Sequence, residues 1–307
     1  MAVLQGIISK MSGSAGNLTF QRTNGMTVIR EKVTEVANPR SEAQMRTRTK
    51  FTNIVAMYKG IRPLLNHGFE SKPNTLSDYN MFVKLNMQRT PIYLTKQAVA
   101  GGACIATDYQ ITQGSLPAIV VTGTGQNGVT DIRLGGESIT TNTTVAQFSA
   151  AVVQNNADYK YGDQISFFLV KQKVNENTLI PYCQFSAAKV ILDAANTNQL
   201  VDEVSGSHGF ASIDGKLGHS GNDGDCAYTW VHTRKSDGKT LVSSQSLLSA
   251  NSKEAEYKGD AAFNLASSSY GQTSTAFLVP DGNATGSTSS GGDNNGGGNG
   301  GGGNDTL

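Results

Sequence analysis

Few residues in this 307-residue chain are spaced for chemistry. Gly123-Thr124-Gly125-Gln126-Asn127-Gly128 matches the GxGxxG of dinucleotide-binding loops. That chemistry needs a helix to begin at the loop, because its N-terminal amides bind the pyrophosphate. Here the next run, Val129 to Leu134, is short and ends at Gly135-Gly136, so it reads as a return strand. The glycines are expected to form a hairpin turn, with Gly128 at φ > 0. Gly221-Asn222-Asp223-Gly224-Asp225-Cys226, preceded by Asp214 and His219, is the densest acidic loop. Calcium would use such oxygens, but an EF-hand needs glutamate at loop position 12, which from Asp223 is Arg234. A surface turn is expected instead. His67, His208, His219 and His232 show no metal-ligand spacing relative to one another or to Cys104, Cys183 and Cys226. His232 alternates with Tyr228 and Trp230, which suits a packed or hydrogen-bonded histidine on a strand face. There is no CxxC pair, Gly-x-Ser-x-Gly elbow, phosphate-binding lysine loop or His-Glu-x-x-His. The cysteines read as reduced, partly buried thiols. The chain is expected to be no enzyme, with no catalytic residue, metal or cofactor.

Charge carries more information. Residues 1–100 hold 14 Lys/Arg and 5 Asp/Glu, and the remainder 11 and 19, although the whole chain is only +1. Such a split points to an acidic partner for the basic half, or to one half docking on the other. The candidate interaction face is Arg40, Arg46, Arg48, Lys50 and Lys59, with Arg22 and Arg30 widening it. Arg46, Lys50, Asn53 and Met57 fall on one side of a helix, and Arg48 falls near the line Phe51, Val55, Tyr58. Protein partners or self-assembly come first. Nucleic acid comes second, through phosphate contacts that give affinity without sequence reading. The nearby aromatics Phe20 and Tyr58 suit a core better than base stacking.

The elements that position this face begin with two alternating runs, Asn17 to Arg22 and Met26 to Arg30, joined through Asn24-Gly25, a tight-turn dipeptide. Asn38-Pro39 breaks the chain. Ser41 to Gln44 fits a capping box, and the helix behind it shows one apolar stripe, Phe51, Ile54, Val55 and Tyr58. A second helix fits Leu76 to Gln88, with Leu76, Tyr79, Phe82 and Val83 as its apolar line. From about residue 98 the pattern turns to short apolar strands with Gly/Asn turns, among them a hairpin around Ser236-Asp237-Gly238. One short helix, Thr144 to Asn155, interrupts them with Thr143 or Thr144 as cap. Gly286 to Leu307 is Gly, Asn, Ser and Asp, which cannot bury enough surface to offset its ordering entropy and is expected to be disordered.

The arrangement Gly16-Asn17 before a hairpin, then Asn38-Pro39-Arg40-Ser41, Gln44, Arg48 and Phe51, resembles an uncharacterised domain family of gut and marine Bacteroidota and their tailed phages. The likeness covers roughly residues 6–90. It is weaker over Val231 to Leu241. It implies a Gly-rich N-terminal hairpin, an immunoglobulin-like C-terminal region and, at most, a virion or assembly role. No catalytic residues come with it.

The resulting expectation is an α+β, mainly β chain. A basic hairpin-plus-two-helix module (1–97) precedes an immunoglobulin-like or other β-sandwich (98–250), an irregular extension (251–285) and the disordered Gly-rich tail (286–307). The expected role is a phage-type structural or assembly protein, with nucleic-acid binding as the alternative. No signal peptide or apolar run of membrane-spanning length is seen, which suggests the bacterial cytoplasm or a virion.

Overall fold

The computed structural model describes residues 2–4, 11–23, 26–35, 41–65, 68–73, 76–89, 91–123, 126–252, 254, 257 and 259–270. The Asn24-Gly25 turn, Asn38-Pro39-Arg40 and the Gly286 to Leu307 tail lie outside the described residues. In chain order, β1 (Ala2–Leu4), β2 (Gly13–Ala15), β3 (Leu18–Thr23) and β4 (Met26–Glu31) form one antiparallel sheet, ordered β1-β4-β3-β2. Thr23 faces Met26 across β3 and β4, the register that a two-residue turn demands. Helices α1 (Glu42–Ile61), α2 (Asp78–Asn86) and α3 (Lys96–Ala100) follow. Then come β5 (Gln110–Thr112), β6 (Val121–Thr122), β7 (Val129–Arg133), α4 (Val145–Asn155), β8 (Gln164–Val174) and β9 (Pro181–Ile191). After α5 (Leu200–Glu203) run β10 (Ala211–Ile213), β11 (Lys216–Gly218), β12 (Cys226–Ser236), β13 (Lys239–Val242), β14 (Gln245–Ser246) and β15 (Leu248–Ser249). α6 (Gly259–Ser269) comes last. Strand outweighs helix, 32% against 26%, so the chain is α+β with several sheets.

A central antiparallel sheet, β13-β12-β8-β9 with β15 also on β12, is covered on both faces. Ile165, Phe167, Leu169, Val190, Tyr228 and Trp230 point one way, into a core closed by Ile132 of β7, Leu217 of β11, and Phe148 and Val152 of α4. The alternate residues Phe168, Val170, Ala227 and Val231 point the other way, onto Ile54, Met57 and Ile61 of α1 and Phe82 of α2. Double burial explains why β8 reads as a nearly continuous apolar run rather than an alternation. The helix-side core therefore joins residues on both sides of position 97. The expected irregular extension also contains α6, whose Phe263 and Ala266 pack against Tyr93. Its i, i+3 spacing was hidden among alanines and serines.

The buried side of α1 is rotated from the expected stripe. Met45, Thr49, Asn53, Ile54, Met57 and Ile61 are buried, whereas Phe51, Val55 and Tyr58 are half-buried. Polar Asn53 goes inward because it meets the buried backbone at Ile105. Its side-chain amide pairs with that backbone: Ile105 N–H donates to Oδ1 (2.8 Å), and Nδ2 donates to the Ile105 carbonyl (3.0 Å) and the Tyr109 hydroxyl (2.8 Å). Asn86 treats Gln110 the same way, and Gln172 takes the Ala106 N–H while donating to the Cys104 carbonyl. Three amides thus stitch residues 104–110 between helices and sheet. Ser41 stands at the N-cap of α1 without a side-chain cap bond, contrary to the expected capping box. Ser77 caps α2 on the Asn80 N–H, and Thr144 with Gln147 forms a full capping box on α4.

The GxGxxG stretch leads into a hairpin, with β6 paired antiparallel to β7. Gly123, at φ 110°, takes the left-handed conformation there, but Gly128 does not. Gly128 is needed for a different reason: a Cβ on it would sit 2.5 Å from the Tyr228 hydroxyl, to which its N–H donates at 2.9 Å. Gly128→Ala is expected to destabilise the protein by about 1–3 kcal/mol through overpacking. Chemical denaturation measures this, and pairing it with Tyr228→Phe, which removes the contacted hydroxyl, should recover part of the loss.

Candidate functional site

The residues singled out as an interaction face do not form one open surface. Arg46 is exposed, yet its guanidinium lies 4.9 Å over the Phe263 ring of α6, a cation–π contact. Burial, and then the charge of Arg46, lower the pKa of half-buried Lys50. Arg48 is half-buried and partnered. Asn53 and Met57, expected on the same basic side, are core residues. Lys59 stays exposed, beside an open groove of about 930 Å³ that it lines with Tyr58, Arg62 and Tyr79. Arg40 lies outside the described residues. The last helix therefore docks on the expected face at Arg46.

The strongest electrostatics sit at the two ends of β12. Its residues Cys226, Tyr228, Trp230, His232 and Arg234 share one face by strand alternation. Trp230 is fixed there by donating from Nε1 to the Gly209 carbonyl at 2.7 Å. At the far end Asp163 is buried and receives Arg234 on both oxygens (2.7 Å each), His232 Nε2 (2.9 Å) and the Lys160 N–H (2.8 Å). Burial alone would raise its pKa, but these hydrogen bonds and the charge of His232 outweigh it and hold the carboxyl well below the usual range. Tyr159 stacks on His232 at 4.4 Å, and His232 Nδ1 has no hydrogen-bond partner. Both border a cavity of about 300 Å³ with Asp131, Arg133 and Asn156. His232 is thus held between the Asp163 carboxylate and the Tyr159 ring. This is the hydrogen-bonded, packed histidine that alternation suggested.

At the near end Asp223, also buried, binds Lys171 Nζ at 2.6 Å, His219 Nε2 at 2.8 Å and His208 Nδ1 at 3.4 Å. Again burial would raise the carboxyl, and the bonds and charges of Lys171 and His219 prevail and lower it. The acidic loop is thus no loose turn: its Asp223 is held inside. Among the described residues, His208, His219 and Asp223 are the one group of three or more metal-capable side chains close enough to share an ion. Sequence spacing missed them, since the β10–β11 hairpin returns His219 to His208. The legible trace was the pair His219 and Asp223, four residues apart beside Gly221.

The three cysteines are free, with Cys104 and Cys226 buried and Cys183 half-buried. Burial pushes the Cys226 thiol up to about 11 and also raises Cys183, so neither is an activated nucleophile. No described helix is long and apolar enough to cross a membrane.

A family model described as a family of unknown function, DUF6266, matches residues 10–157, just under half of the chain. The match runs from the N-terminal sheet to the end of α4 and stops before the central strands. It agrees with the likeness to an uncharacterised domain family carried by the N-terminal residues. No curated protein and no solved structure matches the chain.

Proposed function

We propose that the chain is a non-enzymatic structural or assembly protein that acts through protein–protein contacts, with a second copy of itself on its N-terminal sheet. One observation carries this reading. Among described residues 11–35, Thr27 alone is buried, and none of them joins a hydrophobic cluster. Leu18 (44% exposed) and Val33 (65%) stand in solvent close together, near the place where the Lys32 N–H closes the β3–β4 hairpin on the Asn17 carbonyl. A sheet needs a covered apolar face to be stable, and the described core clusters of this chain do not supply one. Charge favours a second copy, since the basic first hundred residues complement the acidic remainder.

The likeness to Bacteroidota and tailed-phage proteins supports a virion as the setting. Two antiparallel sheets enclosing one core support an immunoglobulin-like description for residues 98–250. Nucleic-acid binding is the second reading, favoured by exposed Arg22 and Arg30 on the uncovered sheet. Light scattering behind gel filtration separates the two. The full chain should form oligomers at micromolar concentration, and the double variant Leu18→Asp/Val33→Asp should be monomeric with unchanged circular dichroism. A wild-type monomer that shifts DNA at low salt, with a salt slope that falls on Arg22→Ala/Arg30→Ala, would replace assembly with the second reading.

A further inference from the structure

We propose that His208, His219 and Asp223 form a binding site for one divalent transition-metal ion of the zinc class. The three ligand atoms lie within 4.8 Å of one another. In a tetrahedral site with ligand bonds of about 2.0–2.2 Å, neighbouring ligand atoms are about 3.3 Å apart. His208 Nδ1 to Asp223 Oδ2, at 3.4 Å, fits that edge. It is too long for a charge-assisted hydrogen bond, which runs at about 2.7–2.9 Å. His219 Nε2 to the same oxygen is shorter, 2.8 Å.

The surroundings are built as a metal's outer shell is built. His219 Nδ1 lies 2.5 Å from the Gln126 carbonyl, which can only accept, so Nδ1 carries the hydrogen. Nε2 then faces Asp223 Oδ2 at 2.8 Å, a hydrogen-bond distance, and a metal ion would take the place of the proton there. A backbone carbonyl behind a ligating imidazole fixes tautomer and ring plane in metal sites generally. The ring is further held between Tyr228 (4.5 Å, 18°) and Phe167 (5.5 Å, 25°). Gln126 also fastens the carboxylate's loop, taking the Asp223 N–H on Oε1 at 2.8 Å and donating to the Gly224 carbonyl at 2.7 Å. Lys171 occupies Oδ1, which leaves Oδ2 to the two imidazoles.

His208 is brought in without a good hydrogen bond to reward it. A Cβ at position 221 would sit 2.0 Å from its Nδ1, so Gly221 is what lets the ring approach. Half of the His208 side chain is exposed, whereas His219 and Asp223 are covered, so the entry path and any further coordination position lie on the His208 side. Two imidazoles and one carboxylate suit zinc, nickel or copper and disfavour calcium, which takes six to eight oxygens. Bound there, the ion would tie the turn after α5 to the loop entering β12.

The test uses the full chain, stripped with chelator and titrated with Co²⁺ and Zn²⁺. Expected are visible d–d absorption saturating at one Co²⁺ per chain, its loss on adding Zn²⁺, and a rise in Tm with Zn²⁺. His208→Ala removes an exposed ring, so Tm in chelator should stay unchanged while Zn²⁺ affinity falls at least about tenfold. Should that variant fold poorly, His208→Gln keeps the bulk without the imidazole and must show the same loss. Absence of saturable binding in the wild-type chain, or equal affinity in the His208 variant, overturns the proposal.

Discussion

Asn53→Ala is expected to destabilise the protein by about 3–5 kcal/mol, although the residue is polar and touches no ligand. The reason is what it leaves behind. The Ile105 N–H, the Ile105 carbonyl and the Tyr109 hydroxyl all bond to this one amide, and Ile105 and Tyr109 are fully buried. Each buried polar group left unpaired costs about 1–3 kcal/mol, and water has no path to all three. Phe51→Ala, two residues away, should lose only about 1–2 kcal/mol, because Phe51 is half-buried and outside every described core cluster. Urea unfolding of the two variants decides the order. A loss for Asn53→Ala below that for Phe51→Ala would mean that the segment around Ile105 finds other partners and that the amide stitch is dispensable.

That contrast also marks what was legible in the sequence. Some local signals were read well, although Ser41 makes no side-chain cap bond and Gly128 is not at positive φ. Thr144 and Gln147 cap α4, and Asp237-Gly238 turns β12 into β13 with both residues at positive φ. The rotation of α1 was not legible, because an apolar stripe can be counted along the chain but a buried Asn is explained only by the backbone it meets about fifty residues later. The setting of Arg46 within the candidate basic face was hidden for the same reason. Arg46 reads as solvated until Phe263 arrives from α6, a helix whose own pattern is masked by alanine and serine. The His208, His219 and Asp223 group depends on a hairpin return that no spacing rule encodes.

Asp163 should give the protein much of its acid sensitivity. Its carboxyl is held below the ordinary range in the folded chain, so protonation favours the unfolded state, where the group returns to about 4. The stability it contributes is fully present above about pH 4 and is lost as pH falls through the folded-state value. Removing the carboxylate strands His232 and part of Arg234, and breaking such a buried pair typically loses about 3–5 kcal/mol. Asp163→Ala should therefore sit at that level near pH 7. Asp163→Asn is the sharper variant, since it keeps the shape and one acceptor but cannot titrate. Its deficit relative to wild type should be large at pH 7 and should shrink steadily below pH 4, as the wild-type carboxyl takes up its proton. Asp223 titrates in both proteins and cancels from the difference. Equilibrium unfolding of the pair from pH 7 to pH 2 provides the measurement. A gap that stays constant across that range would show that Asp163 is held by packing rather than by its charge, and the role assigned to Arg234 and His232 would fall with it.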